Sequence, residues 1–320
     1  MSIRSTWPRC ESEASRYNNL LVTPAARPHV SIIIPVFNQG QALSSCLRAL
    51  ATQTYPADRF EVIVVDNGSE PPIIDVTREF SFARCIREEK PGSYAARNRG
   101  VQASNGEILG FTDADCVPAD TWIERGVHAV QSLPGDGMVG GKVELTFQDP
   151  GKLTAAELYD SLCAFRQETF ITWGFCATAN LFTTRAAVDH VGPFNERLMS
   201  LGDMEWGQRL RSRGLAQQYA DDVRVSHPAR RTLGQLFRQT VRIAGGGQQL
   251  AEQRGEGTSG LSSYAREQLV HFRRIRANLA DPLLGSPGRK LRFAAAVWLV
   301  DVLRTLERYR VHYGGRPKNL

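Results

Sequence analysis

The sequence lacks the motifs by which several common classes of protein are recognised. The six cysteines include no CxxC pair, so neither a zinc ribbon nor a disulfide framework is indicated and a reducing compartment is favoured. No GxGxxG follows the first predicted strand, which argues against an NAD-binding domain. Residues 1–27 are a polar leader without the apolar stretch of a secretory signal. We therefore expect a cytoplasmic protein.

A membrane-spanning run is missing as well. The uncharged stretch at residues 293–300 is far shorter than the roughly 20 residues that a spanning helix needs. Positive charge is nevertheless concentrated at this end: residues 228–320 contain 17 basic and 6 acidic groups, a net charge of +11. We leave open whether the tail lies on an anionic membrane or packs on the rest of the chain. No recognised nucleic-acid module accompanies the arginines, so nucleic-acid binding is not expected.

One apolar stripe is predicted on a helix of the tail. Helical spacing places six residues on one face: Leu291, Ala295, Trp298, Val302, Leu306 and Tyr309. Basic residues flank this face: Arg292, Arg304, Arg308 and Arg310. The pattern is typical of an interfacial helix and also of a helix packed on a domain.

Strand and helix patterns alternate through the first part of the chain. Apolar, β-branched runs at residues 30–36, 60–65 and 107–112 predict buried strands, with helical spacing between them. Such alternation predicts an α/β fold in which helices sandwich a mostly parallel sheet. We place a catalytic domain at residues 28–230 and a basic helical region at 231–320, which follows a change to Arg-rich composition.

Polar side chains follow three of the predicted strands. Phe37 and Asn38 come after the first strand, Asp66 ends the second, and Asp113 and Asp115 follow the third. Ligands of such sheets bind at the carboxyl ends of the strands. Two carboxylates at i and i+2 repel each other unless a cation or hydrogen-bond donors compensate, and a hard divalent ion would also bind phosphate.

Six ordered segments between residues 30 and 227 resemble the inverting family 2 glycosyltransferases, which have the GT-A fold. They are residues 30–38 (VSIIIPVFN), 61–69 (EVIVVDNGS), 92–100 (GSYAARNRG), 106–115 (GEILGFTDAD), 192–197 (GPFNER) and 202–206 (GDMEW). The resemblance implies transfer of a sugar from a nucleoside diphosphate donor to an acceptor hydroxyl. A divalent cation, Mn or Mg, would assist the departure of the diphosphate.

The resemblance also assigns the donor site. It implies that seven residues lie near the nucleotide: Pro35, Phe37, Asn38, Asp66, Arg97, Asn98 and Asp113. Phe37 would stack on the base and Asp66 would accept a hydrogen bond from the base imide, which favours a UDP-sugar. Arg97 is equally compatible with a charge on a helix surface.

For the metal and the base, the resemblance implies four further roles. Asp115 would bind the ion directly, Asp113 would face the ribose or the metal shell, and His227 would be a further ligand, although a lone histidine is more often structural. Asp203 would be the general base, or only the N-cap of its helix. Gly202 stands where the family usually has a glutamate.

Residues beside Asp203 are candidates for contacts with the acceptor. Glu205 is a reserve for the base, and Trp206 is either a platform for a sugar or a core residue. Residues 153–170 are predicted as one helix. Within residues 236–247, Arg238 and Arg242 are expected to reach the diphosphate, and the glycines are predicted as a mobile loop that closes over the donor.

The acceptor is expected to be a glycan or a lipid-linked molecule. Two other functions stay open: a sugar nucleotidyltransferase, which should show a Gly-rich basic loop after the first strand, and a sugar-nucleotide or glycan-binding protein without catalysis. Residues 38–40 offer no such loop.

Overall fold

A computed structural model describes residues 27–255 and 275–315, and the predictions for residues 1–26 fall outside this part. Its strands are β1 (Val30–Val36), β2 (Phe60–Asp66), β3 (Ala83–Arg87), β4 (Ile108–Thr112), β5 (Val117–Pro118), β6 (Gly137–Thr146), β7 (Asn180–Thr184) and β8 (Ala216–Pro228). Its helices are α1 (Gly40–Ala51), α2 (Ile74–Arg78), α3 (Ser93–Ala103), α4 (Trp122–Gln131), α5 (Ala155–Cys163), α6 (Gln167–Thr172), α7 (Arg185–Val191), α8 (Gly202–Ser212), α9 (Leu233–Gln253) and α10 (Pro287–His312).

All eight of these strands belong to one sheet, in the order β3-β2-β1-β4-β7-β6-β8-β5. The first four are parallel, β7 is antiparallel to both of its neighbours, and β6 and β8 are parallel again. The α/β fold is confirmed. The sheet is parallel where the sequence shows alternating strands and helices, and mixed beyond β4.

Both faces of the sheet are covered by helices. On β1, Ile32 and Ile34 belong to one apolar core, shared with residues of α1 and α4. Ile33, between them, points to the opposite face and belongs to a second core, shared with α3 and α8. Burial on both faces explains why this strand reads as a continuous β-branched run rather than as an alternation.

The C-terminal helices pack on α5. Phe293 and Val297 of α10 share an apolar cluster with Leu158 of α5. A neighbouring cluster joins Leu236 of α9 and Val300 of α10 to α5. Because these contacts use one face of α10, the predicted stripe lies on the other: four of its members are largely exposed, namely Leu291, Trp298, Leu306 and Tyr309.

Two predictions about helices are wrong. Residues 153–170 form two helices, because Phe165 adopts a φ of +44° and breaks the helical path between α5 and α6. The glycines predicted as a mobile loop lie inside α9. There the absence of a side chain permits a close approach, since a Cβ on Gly246 would lie 2.7 Å from the carbonyl oxygen of Ser200.

Within residues 27–255 and 275–315, no helix has both the length and the apolar character that crossing a bilayer requires.

Candidate functional site

The predicted site residues meet at the carboxyl edge of the parallel strands. Val36 of β1 is in register with Asp66 of β2, so Phe37 leaves the sheet beside that carboxylate. Asp113 follows the last residue of β4, which also pairs with β1. Parallel pairing therefore gathers these three side chains at one edge, as the sequence predicts.

Asp66 is almost completely buried at this edge, and Phe37 is 59% exposed. Oδ1 of Asp66 accepts a hydrogen bond of 2.8 Å from the Ser69 amide. Oδ2 lies 3.6 Å from the guanidinium of Arg87, longer than a hydrogen bond. Asn38, at a φ of +54°, links the loops after β1 and β2. Its backbone N–H donates to the hydroxyl of Ser69, and its side-chain Oδ1 accepts from the backbone N–H of Glu70.

Asp115 and His227 face each other. Val117 of β5 pairs with Ser226 of β8, and this short antiparallel ladder brings the residues flanking it together. Nε2 of His227 lies 3.5 Å from Oδ2 of Asp115. Nδ1 of His227 lies 2.8 Å from the carbonyl oxygen of Pro228, which can only accept, so Nδ1 carries the proton.

This arrangement fits a divalent cation. A neutral His227 directs the lone pair of Nε2 towards a carboxylate, and two acceptors at 3.5 Å repel each other unless a proton or a cation lies between them. Histidines that bind metals commonly donate their other N–H to a backbone carbonyl, as His227 does. Burial raises the pKa of Asp115 and the neighbouring Asp113 raises it further, whereas a positive charge at His227 would lower it. No group of three or more ligating side chains is found in the described ranges, so other ligands would be phosphate or water oxygens.

Arg97 is buried, with 4% of its surface exposed, and is therefore not a charge on a helix surface. Its Nη2 donates to Oδ1 of Asp113, which occupies one oxygen of that carboxylate. Its Nε has no hydrogen-bond acceptor among the described residues. A buried guanidinium with an unused donor is suited to binding an anionic oxygen.

Asp203 lies in the first turn of α8 and is half-buried. The prediction that it is the N-cap is wrong, because Leu201 occupies that position at a φ of +63°. Oδ1 of Asp203 accepts hydrogen bonds from the Met204 amide at 2.9 Å and from the Tyr94 hydroxyl at 3.2 Å. Burial raises the pKa of Asp203, and Arg97 opposes this increase. A carboxylate with a raised pKa is well suited to accept a proton.

Neither proposed acceptor contact is supported by the structure. Trp206 is completely buried, its ring is tilted against that of Phe194, and its indole N–H donates to the Gly192 carbonyl, so it is a core residue rather than a sugar platform. Glu205 makes two hydrogen bonds to Arg209, one turn along α8. This ion pair occupies the carboxylate that was the reserve base.

The side chain of Asn98 makes two hydrogen bonds within the protein, one through its nitrogen and one through its oxygen. Its amide donates to the Phe194 carbonyl and its oxygen accepts from the Phe194 amide, both at 2.9 Å. This pair of bonds holds the turn before α8 against α3. The structure therefore gives Asn98 a structural contact in place of the predicted contact with the donor.

One contact near the site was missed from the sequence, and one arginine cluster was found only in part. Tyr94 contacts Asp203 although nothing in its local pattern separates it from an ordinary core aromatic. A cavity of about 270 Å³ beside Asp115 and His227 is lined by three arginines: Arg230, Arg238 and Arg242. Arg238 and Arg242, four residues apart on α9, are the two that the sequence had indicated as diphosphate contacts, and Arg230 is the one it did not indicate.

The chain is similar to known glycosyltransferases in sequence. The family model "Glycosyl transferase family 2" matches residues 31–192. Glycosyltransferase AglE of Haloferax volcanii is 42% identical over 225 residues, which are 68% of this chain and 73% of AglE.

Among solved structures, the chain resembles the mannosyltransferase PcManGT from Pyrobaculum calidifontis, determined with GDP-Man and Mn2+. The TM-score is 0.63 at 18% identity, over 89% of this chain and 88% of the other. It also resembles TarS of S. aureus, determined with UDP-GlcNAc, with a TM-score of 0.50 at 17% identity over 90% of this chain and 92% of that one. At these identities the likeness concerns the fold.

Replacing Asn98 tests the corrected assignment. Asn98→Ala should lower the free energy of unfolding by about 2–4 kcal/mol, because it leaves two polar groups of the buried Phe194 backbone without partners. Gln102→Ala, on the exposed side of α3, should change it by less than about 0.5 kcal/mol. Urea denaturation measures both. An Asn98→Ala protein of unchanged stability that has lost nucleotide affinity would restore the original prediction.

Proposed function

The chain belongs to glycosyltransferase family 2, and we propose that it transfers a sugar, with inversion, from a nucleoside diphosphate donor to an acceptor hydroxyl with a divalent cation as cofactor. The observation that carries this proposal is the Asp115–His227 pair beside the arginine-lined cavity. It combines two metal ligands with cations that suit a diphosphate.

The donor would lie along the carboxyl ends of β1, β2 and β4. The exposed ring of Phe37, which follows Pro35 at the end of β1, offers a surface on which a base can stack. Oδ2 of Asp66 is available to a base imide, which favours uracil and hence a UDP-sugar. The solved relatives bind GDP-Man and UDP-GlcNAc respectively, so both bases are used within this fold.

The leaving group would be stabilised by charge rather than by a proton. Asp115 and His227 would hold Mn or Mg, with Asp113 directed by Arg97 towards the ribose side. A divalent cation held there would supply positive charge that stabilises the diphosphate as a leaving group. Arg238 and Arg242 would add positive charge where α9 lines the cavity.

The nucleophile needs a base, and Asp203 is the carboxylate suited to this role. Both of its described hydrogen bonds reach Oδ1, which leaves Oδ2 to take the proton of the acceptor hydroxyl. Attack opposite to the leaving diphosphate, in one displacement, inverts the anomeric configuration.

Metal dependence can be tested at Asp115. Asp115→Ala should abolish Mn2+ binding in the presence of UDP, measured by electron paramagnetic resonance, and reduce turnover of a UDP-sugar by at least about 100-fold. Asp222→Ala removes an exposed carboxylate from the same strand as His227 and should preserve both. Full turnover by Asp115→Ala, or by the parent protein in excess chelator, would exclude a metal-dependent reaction.

The base can be tested at Asp203. Asp203→Asn should reduce the transfer rate by about 10²–10⁴-fold with little change in donor affinity, because the amide cannot accept the acceptor proton. The ionised form is the active one, so kcat should fall with decreasing pH through a pKa above that of an ordinary aspartate.

The anomeric configuration of the product, measured by NMR, provides the second readout for Asp203. An α-linked donor should give a β-linked product. Retention of configuration would contradict the single displacement, and full activity of a folded Asp203→Asn protein would move the base elsewhere.

We also propose that the acceptor is lipid-linked and that the exposed stripe of α10 holds the enzyme on an anionic membrane. The stripe contains Trp298, 66% exposed, on a tail with a net charge of +11. An apolar face with basic surroundings is typical of helices that lie in the membrane interface.

Vesicles containing phosphatidylglycerol test this surface. Binding at low salt should weaken in Trp298→Ala and with added salt, because the attraction is partly electrostatic. Trp173→Ala removes a similarly exposed tryptophan outside α10 and should not weaken it. If the parent protein does not float with anionic vesicles at low salt, the stripe does not bind membranes.

A further inference from the structure

Tyr94 is a buried tyrosine that contacts the proposed base from a different element. It lies in the first turn of α3, with 6% of its surface exposed. Its hydroxyl is 3.2 Å from Oδ1 of Asp203, which comes more than one hundred residues later in the chain. A buried tyrosine hydroxyl needs a hydrogen-bond partner, and the partner here is the carboxylate that we propose as the base.

The ring of Tyr94 is held from three sides. Phe194 stacks on it with ring centroids 6.0 Å apart, and the guanidinium of Arg97 lies 5.7 Å from its centroid. Gly202 contacts it as well: a Cβ at this position would lie 2.7 Å from the ring. The residue before Asp203 must therefore be glycine for Tyr94 to keep this position. The same contact explains why no glutamate stands at Gly202.

Both hydrogen bonds described for the Asp203 carboxylate reach the same oxygen. The Tyr94 hydroxyl and the Met204 amide both donate to Oδ1. Two donors on one oxygen fix the rotation of the carboxyl group and leave the other oxygen, Oδ2, for a proton. Burial raises the pKa of the Tyr94 hydroxyl, so it remains a donor at neutral pH.

We infer that Tyr94 is a positioning residue that orients Asp203 so that Oδ2 receives the acceptor proton, with Gly202 required to make room for its ring. This inference rests on the proposed function of Asp203 as base. The proton passes from the acceptor hydroxyl to Oδ2 as the oxygen attacks the anomeric carbon, and Tyr94 keeps its own proton throughout.

Charged and titratable groups around Asp203 set the direction of the expected pH effect. From α3, Arg97 favours the ionised carboxylate and the Tyr94 hydroxyl stabilises it by hydrogen bonding. Asp113, after β4, disfavours it, and the buried thiol of Cys176 is close enough for its own pKa to be raised by Asp203. Loss of the Tyr94 hydroxyl should therefore raise the pKa of the base.

Tyr94→Phe is the test, because the ring and its packing remain while the hydroxyl is lost. We expect kcat to fall about tenfold, the KM for the donor to stay unchanged, and the acid limb of the kcat profile to move to higher pH. Tyr55→Phe is the matched control, because Tyr55 is also buried and its hydroxyl donates a hydrogen bond of 2.6 Å to the carbonyl of Pro28. Tyr55 lies between α1 and β2, and its hydroxyl reaches the chain just before β1, at the opposite end of the strand from the site. The control substitution should leave kcat and its pH profile unaltered.

A double variant tests the role of Tyr94 separately from the proposed role of Asp203 as base. If Tyr94 acts through the base, Tyr94→Phe should have no further effect on kcat in an Asp203→Asn protein, so the two losses should not add. Additive losses, or a Tyr94→Phe protein with the parent's kcat and acid limb, would overturn the positioning role. Full activity of Asp203→Asn alone would instead refute Asp203 as base, whatever the result at Tyr94.

Discussion

The buried guanidinium of Arg97 is the interaction on which the arrangement of the site depends. A charge this deeply buried is tolerated only with close partners, and here these are the carboxylate of Asp113 and the aromatic face of Tyr94. Arg97 also lowers the pKa of Asp203, which burial raises. One cation thus connects the strand edge, where we place the donor, with α8, which carries the proposed base. Removing one partner of a buried pair commonly costs 3–5 kcal/mol, so a change at Arg97 would disturb both halves of the site.

The sheet explains why the two proposed metal ligands come from distant parts of the chain. Parallel strands place Asp113 and Asp115 beside Asp66 by local alternation of strands and helices. His227 reaches the same place through the pairing of β5 with β8, an antiparallel contact between residues more than one hundred positions apart. Of the alternatives raised from the sequence, nucleotidyl transfer and binding without catalysis gain no support, since the relatives identify the chain as a glycosyltransferase.

The elements governed by local pattern were predictable, and those governed by tertiary contacts were not. The first strand was predicted with its bounds because a strand that is buried on both faces consists of consecutive apolar residues. The break at Phe165 depends on a positive φ at this one residue, and no glycine or proline nearby in the sequence predicts it. Asn98 and Trp206 belong to recognisable segments of the family, but which atoms they contact is decided by the turn before α8. The resemblance therefore located the site, whereas the partner of each side chain required the fold.

The basic helical region, residues 231–320, makes close contacts with the part of the chain that carries the proposed site. The absence of a side chain at Gly246 lets α9 lie against the backbone of Ser200, three residues before Asp203. Gln249 and Gln253 of the same helix hydrogen-bond to the amide of Met199 and to Asn195, so three points of α9 hold the loop that leads into α8. The other end of α9 lines the cavity beside Asp115, and its side is covered by α10. A helix that contacts both the loop before the base and the proposed diphosphate cavity fixes their relative position. Gly246, although a glycine weakens a helix by about 1 kcal/mol relative to alanine, is therefore explained by this docking and not by mobility.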